Sequence, residues 1–381
     1  MNKKLVAVAV AGVLAAPLAA QAQTANVTLY GRLNLDAEVV NGRPAGTNIS
    51  NPNVYRVSSN SSRLGVRGTE SLGGGLNAIF QLESSINADA GGGTLAGRET
   101  FVGLQGSWGT LKIGNFLAPY DDIHPIFGNV PTLTTSILAT ANVWANNGGY
   151  TKTTGAFDAR LGNSVRYDSP NIAGFTGSVQ IAAMEGVAPS TPQAYVLSMG
   201  GFYNNGPLQV GLAYESNTNV RGANLSDYAY SLAGAWNFGV FRLGGVYERL
   251  DYDTPTGNLK RDFFGVSGTF NLGPGQLYAF WGRANDGKGG ACDINLLGCT
   301  TRVGGLAAGG STGSDTYEIS YTYPLSKRTL LYTGYTMIDN KKNAAYNFGV
   351  NQISGVCTGN GAACGDAARP QGIVLGMVHF F

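Results

Sequence analysis

Residues 314–323, Ser-Asp-Thr-Tyr-Glu-Ile-Ser-Tyr-Thr-Tyr, put Tyr317, Ile319, Tyr321 and Tyr323 on one side of an extended chain and Thr316, Glu318, Ser320 and Thr322 on the other. A two-residue period of this kind reads as a β-strand with one face in an apolar environment. The same alternation recurs along the chain. In 26–40, Val27, Leu29, Leu33 and Leu35 oppose Tyr30, Arg32, Asn34, Asp36 and Glu38. In 61–71, Leu64 and Val66 oppose Arg63 and Arg67; in 75–87, Leu76, Ala78, Phe80 and Leu82 oppose Asn77, Gln81 and Glu83. Segments 162–168, 207–216 and 227–238 repeat it, and 372–381 places Ile373, Leu375, Met377, His379 and Phe381 on one face. With the less regular segments near 98–107, 110–117, 175–185, 193–204, 240–251, 261–272, 275–285 and 329–338, there are sixteen candidate strands. Most are about ten residues long, the length of a tilted strand that crosses a bilayer.

The connections alternate in length. Short turns fall at 72–74, Gly109, 169–174, 205–206, Gly239, 273–274 and 324–328. Long ones span roughly 41–60, 88–97, 118–161, 186–192, 217–226, 252–260, 286–313 and 339–371. Such alternation belongs to antiparallel barrels of the outer membrane, with both chain ends on the short-turn side.

Periodicity does not say which face is the wet one. A soluble sandwich or small barrel alternates too, with its apolar face inward. Sixteen strands would overfill a sandwich. Aromatics gather near strand ends as interfacial girdles do: Tyr30, Trp108, Tyr167, Phe175, Tyr214, Trp236, Phe238, Phe241 and Tyr323. The polar face carries Arg, Glu and Asn repeatedly. The expected fold is all-β: a sixteen-stranded antiparallel transmembrane barrel wide enough for an aqueous channel.

The start of the chain sets the compartment. Lys3 and Lys4, the apolar run Leu5–Ala16 and the small-x-small Ala20-Gln21-Ala22 read as a cleaved leader over 1–22, leaving 23–381 as the barrel domain. Once Lys3 and Lys4 leave with it, basic and acidic residues are equal in number, so no basic excess points to nucleic acid. Charged residues make up 13% of the chain, about half the usual soluble share, and Gly reaches 57. The four cysteines, Cys292, Cys299, Cys357 and Cys364, form two pairs of identical spacing. In an oxidising exported compartment they are disulfide candidates, with three connectivities open. A metal site among them is disfavoured, because the two histidines, His124 and His379, lie far away in sequence and the spacings are not zinc-like.

Six blocks in order, "NVTLYGRLN" (26–34), "SSRLGVRGTESLGGGLNAIFQLE" (61–83), "FVGLQGSWGTLKIG" (101–114), "NSVRYDSPNIAGF" (163–175), "YPLSKRTLLY" (323–332) and "GMVHFF" (376–381), resemble the trimeric general porins of Gram-negative outer membranes, especially those of betaproteobacteria. Asn34, Asn115 and Val378 depart from the residues expected at their positions, which bears on the lumen's charge balance and leaves the fold untouched. The resemblance implies a homotrimer that passes small hydrophilic solutes and ions by diffusion. The partners it implies are outer-membrane lipid, lipopolysaccharide and the assembly machinery, with no cofactor. It also implies that the third long loop, 118–161, folds into the barrel as a constriction bearing Asp121 and Asp122. Arg63, Arg98 and Arg160 align with the family's constriction arginines and Glu83 with its wall acid. The terminal Phe381 matches the family's signal for outer-membrane assembly.

Residue parity independently turns Arg63 and Glu83 inward, and Arg160 too if the strand from 162 continues unbroken. Arg98 shares the parity of Val102 and Leu104, which a bulge or loop position would resolve. Arg32, Arg67, Lys112 and Arg166 are second-tier lumen charges. The physical reason is cost: Arg or Lys facing lipid near the midplane costs ~2–4 kcal/mol, so repeated cations face water or protein. Rings of Arg in a narrow pore favour anions, and acids opposed across the gap would add a transverse field. The expected function is an anion-preferring diffusion pore; the alternative is a channel selective for one bound anion, and a third possibility is a soluble β-rich surface adhesin. With two histidines and no nucleophile–base grouping, enzymatic chemistry has little to work with.

Overall fold

The computed structural model describes residues 26–44, 53–128, 136–144, 156–184, 192–291, 303, 306–349, 351–353 and 368–381. The leader and the four cysteines lie outside the described residues. The strands are β1 (Asn26–Pro44), β2 (Val54–Ser59), β3 (Arg63–Gly73), β4 (Leu76–Ser85), β5 (Thr100–Gly106), β6 (Gly109–Leu117), β7 (Arg160–Asp168), β8 (Phe175–Ala183) and β9 (Tyr195–Asn205). They continue with β10 (Leu208–Thr218), β11 (Ser226–Asn237), β12 (Phe241–Thr254), β13 (Gly257–Leu272), β14 (Gly275–Ala284), β15 (Ser314–Pro324), β16 (Thr329–Asn340) and β17 (Ala368–Phe380). Neighbouring strands pair antiparallel around the wall, and β17 returns to β1, so the sheet closes.

Seventeen segments make sixteen barrel strands because β2 and β3 share one place. β2 pairs with Leu35–Val40 and β3 with Asn26–Arg32, both along β1. The expected 41–60 loop therefore contains a strand, Val54–Ser59, that the alternation does not bring out. The break at Asn60–Ser62 includes Ser61 at φ 54°. The ladder is carried across it by Asn60 N–H donating to the Asn34 carbonyl and by Asn34 N–H donating to Ser62 Oγ.

The apolar face is the outer one. Leu29 is 64% exposed, Leu212 57% and Leu375 65%, whereas Asn34, Glu215 and Ser320 on the inner face are buried. This inversion excludes the soluble reading, and closure leaves no edge of unpaired N–H and C=O groups in lipid. Trp108 and Tyr167 stack, as do Phe238 and Phe241, beside short turns as a girdle. Tyr30 does not belong to that girdle: its hydroxyl donates to Glu83 on the inner wall, 3.0 Å away. The seam is finished by the last residue, where Phe381 N–H and C=O both pair with the backbone of Gly31.

The inner wall is not uniformly polar. The described parts of the 118–161 loop are buried inside the barrel, carrying Ile123, Phe127, Ile137, Leu138 and Trp144 at 0% exposure. They lie on wall positions that lack side chains. A Cβ on Gly372 would meet Ile137 Cδ1 at 2.7 Å, one on Gly334 would meet Leu138 Cδ1 at 3.0 Å, and one on Gly211 would meet Ile126 Cδ1 at 2.6 Å. Part of the chain's glycine excess is thus a track that receives the loop. We expect Gly372→Leu to overpack this track, costing about 1–3 kcal/mol. The barrel should still form by heat-modifiable migration, and single-channel recordings should show altered, noisier conductance. Unchanged current would argue against the track.

Candidate functional site

Two different inner walls face each other across the lumen. On the side of β9–β14, the loop is fixed. Burying a loop requires partners for its backbone polar groups, and wall side chains supply them. The Phe127 carbonyl accepts from Ser267 at 2.9 Å and from Tyr278 at 3.0 Å. Arg242 donates to the Ile126 carbonyl, and Arg261 to that of Val143 at 2.7 Å. Tyr120 N–H donates to Ser198 Oγ and its hydroxyl to Glu248 at 2.7 Å. Arg261 also pairs with Glu248 at 2.7 Å, both side chains at 0% exposure. Burial and the Glu248 charge push the Tyr120 hydroxyl well up, which keeps it a donor. Sequence reading misses these anchors because β12 and β13 read only as less regular segments. The signal available is parity: Glu248, Arg261 and Ser267 all stand at inward positions.

On the side of β1–β7 lies a band of charge. Glu83 joins Arg98, at 2.7 Å, to Arg63, at 3.5 Å. Arg98 sits in the loop before β5, so its strand parity does not apply; its backbone N–H donates to the Glu83 carbonyl. Arg160 pairs with Glu99 at 3.3 Å. Its strand is not unbroken, contrary to expectation. The register shifts between Gly114 and Phe116, opposite Leu161–Ser164, and Asn163 takes φ 50°. Arg160 is therefore out of phase with Ser164, yet it still points among Arg98, Glu99 and Asp121, whose charges act on it.

Arg166 bridges Asp122 of the loop and Asp168 of its own strand. Lys112 pairs with Asp168 at 2.7 Å and lies over the rings of Phe101 and Phe116. Arg32, directly opposite Arg63 in the ladder, is held by the carbonyls of Asn60 and Ser61 at the β2–β3 break. Arg67 stacks on Tyr30 at 5.1 Å.

The structure thus brings together Arg63, Arg98, Arg160, Glu83, Asp121 and Asp122, with Arg166 and Lys112 alongside. It adds Glu99 and Asp168, which sequence reading does not single out. Glu83, expected as the wall acid, lies between two of the arginines on one wall. The loop carboxylates, expected across the gap, come to that same wall, Asp122 by its contact with Arg166. Several of these side chains remain open to the lumen, among them Arg63 at 29%, Arg160 at 24%, Glu99 at 25% and Asp122 at 34%. Burial and then the neighbouring Asp122 charge push Asp121 up to about 7. Burial likewise raises Asp122, against the pull of Arg166. Both shifts disfavour the charged forms of the loop acids, with Arg166 holding Asp122 back.

A closed sheet with an apolar exterior, an inward loop and a charged, partly open inner band defines a transmembrane β-barrel channel. Comparisons with known proteins agree. The chain matches the Gram-negative porin family over residues 7–343. It is 30% identical to outer membrane porin protein 32 of Delftia acidovorans, with 100% of both chains covered. It is 29% identical to an outer membrane porin protein of Bordetella pertussis, over 92% of this chain and 99% of that one. Among solved structures, the anion-selective porin from Comamonas acidovorans superposes at a TM-score of 0.71 with 24% identity, covering 94% of this chain and 100% of the other. The chain belongs to the Gram-negative porin family: it is an outer-membrane porin, a passive channel for small hydrophilic solutes.

The anchored wall makes its own prediction. Arg261→Ala would take the guanidinium from buried Glu248 and release the Val143 carbonyl, costing about 3–5 kcal/mol. The double variant Glu248→Gln with Arg261→Met, which removes both charges, should recover much of that loss in thermal unfolding of the detergent-folded barrel. A double variant no more stable than Arg261→Ala would contradict the pairing.

Proposed function

We propose that this porin prefers anions and that the preference arises from the arginine band on β1–β7, which borders the passage left open by the third loop. The observation that carries this reading is the asymmetry of the lumen. Apolar loop residues occupy the β9–β17 wall, so ions pass beside Arg63, Arg98, Arg160 and Arg166. Arginines in a narrow aqueous pore lower the energy of an anion and raise that of a cation. Interleaved Glu83, Glu99 and Asp168 hold the guanidiniums in fixed positions and moderate the field. Polar solutes align in such a field, whereas apolar ones must displace ordered water. The anion-selective character named for the Comamonas porin agrees with this reading.

The working assembly is a homotrimer in outer-membrane lipid and lipopolysaccharide, inserted by the assembly machinery, with no cofactor, no nucleic-acid partner and no enzymatic activity. Asp121 and Asp122 mark the constriction on the loop. Arg32, Arg67 and Lys112 extend the cationic wall beyond it. Phe381 is the assembly signal, and its backbone pairing with Gly31 gives a physical reason for its position at the end of the chain. The cysteines remain disulfide candidates.

In a KCl gradient the wild-type channel should show a reversal potential of chloride-preferring sign. Arg63→Ala with Arg160→Ala should move it several-fold toward zero; a cation-preferring wild type, or no shift in the variant, would sink the arginine account. Deleting Phe381 should lower the yield of folded barrel much more than it changes the conductance of the channels that do form. Undiminished yield would remove its assembly role.

A further inference from the structure

His124 opens the short helix α1 (His124–Phe127) in the third loop, and its environment is not that of a packed core histidine. The side chain is 1% exposed and its ring lies 4.3 Å from that of Trp144. Among the described residues, neither ring nitrogen has a hydrogen-bond partner. A buried polar side chain is ordinarily hydrogen-bonded, because leaving it unsatisfied costs about 1–3 kcal/mol. Instead, two carboxylates flank it at distances too long for hydrogen bonds. Asp121 Oδ1 is 3.7 Å from Nδ1 and Asp158 Oδ2 is 3.9 Å from Nε2. A neutral imidazole has one donor and could serve only one of them. Donors from the three residues lie within 4.8 Å of one another.

We propose that Asp121, His124 and Asp158 form a site for a divalent transition-metal ion, zinc being the representative. One imidazole nitrogen and two carboxylates are a donor set that suits such ions. Bonds of about 2.1 Å would draw the donors in by about 1 Å, and Asp121 has the freedom to close because its side chain is 21% exposed. That exposure also supplies the route of entry from lumen water and leaves a coordination position for water. Asp158 and His124 are fixed by the buried loop, so the ion ties the exposed start of the loop to its buried return. In the porin it adds positive charge beside Arg160 and Asp122. This consequence rests on the channel reading; the binding itself does not. Sequence spacing gives no sign of the site, since Asp158 is remote from the Asp121–His124 pair and only the inward fold brings it back.

The test is titration of chelator-stripped, detergent-folded full-length protein with ZnCl2 by calorimetry, and with NiCl2 by quenching of tryptophan emission, which the nearness of Trp144 makes sensitive to the site. The expected result is one ion per chain. His124→Gln should weaken binding at least about 100-fold, since loss of an outer-shell partner alone costs 10–100-fold, while His379→Gln should bind as wild type. If His124→Gln fails to give a heat-modifiable barrel, Asp121→Asn carries the same prediction. Absence of binding in the wild type, or binding undiminished in the folded loop variants, overturns the site. In bilayers, zinc should strengthen chloride preference in the wild type and leave the His124→Gln channel unchanged. A bound ion with no such effect would leave the site standing and remove its electrostatic role.

Discussion

Lipid offers no hydrogen bonds, and everything in this molecule follows from that. A strand in the bilayer must give every N–H and C=O to a neighbour, so the sheet has to close. Closure is achieved where β17 meets β1 and the terminal Phe381 pairs with Gly31. Once the backbone is satisfied within the wall, alternation separates two solvents. Apolar side chains meet lipid and the other parity is released from it. That inner parity is then free to carry arginines that could not stand on the outside.

The same requirement returns inside the barrel. A loop folded into the lumen trades water for protein, and its carbonyls need donors. Arg242, Arg261, Ser267 and Tyr278 supply them from one half of the wall, while glycines on that half make room for Ile126, Ile137 and Leu138. The apolar part of the loop is therefore held to one side, while its acidic start reaches Arg166 on the other; in the function proposed above, the rest of the charged wall faces the passage. Selectivity in this account is a result of where the loop is held as much as of which charges face it.

The period-two pattern makes the outer face legible almost residue by residue, because lipid punishes polar side chains uniformly along a strand. The strand Val54–Ser59 escapes it because its pattern is short and is cut off from β3 by the turn at Ser61. Arg63 and Glu83 are legible from parity. The position of Arg160 is reached for a reason that does not hold, since a bulge at Asn163 resets the strand's phase. Pairing is beyond reach: nothing local says that Glu83 stands between Arg63 and Arg98, or that Arg160 takes Glu99. Arg261, Glu248 and the loop's glycine track are hidden for a related reason. Each matters only through a contact with the 118–161 loop, and the alternation describes strands, not what is folded against them.

The central claim is that the open passage runs along the arginine wall and not along the wall that holds the loop. Thiol accessibility during single-channel recording tests it most directly. In a background with Cys292, Cys299, Cys357 and Cys364 replaced by serine, Arg63→Cys should react with a sulfonate-bearing thiosulfonate and give a stepwise fall in current. Ser267→Cys, beneath the loop, should stay unreactive over the same recording. Rapid modification of Ser267→Cys with Arg63→Cys left untouched would place the passage on the other wall and contradict the account.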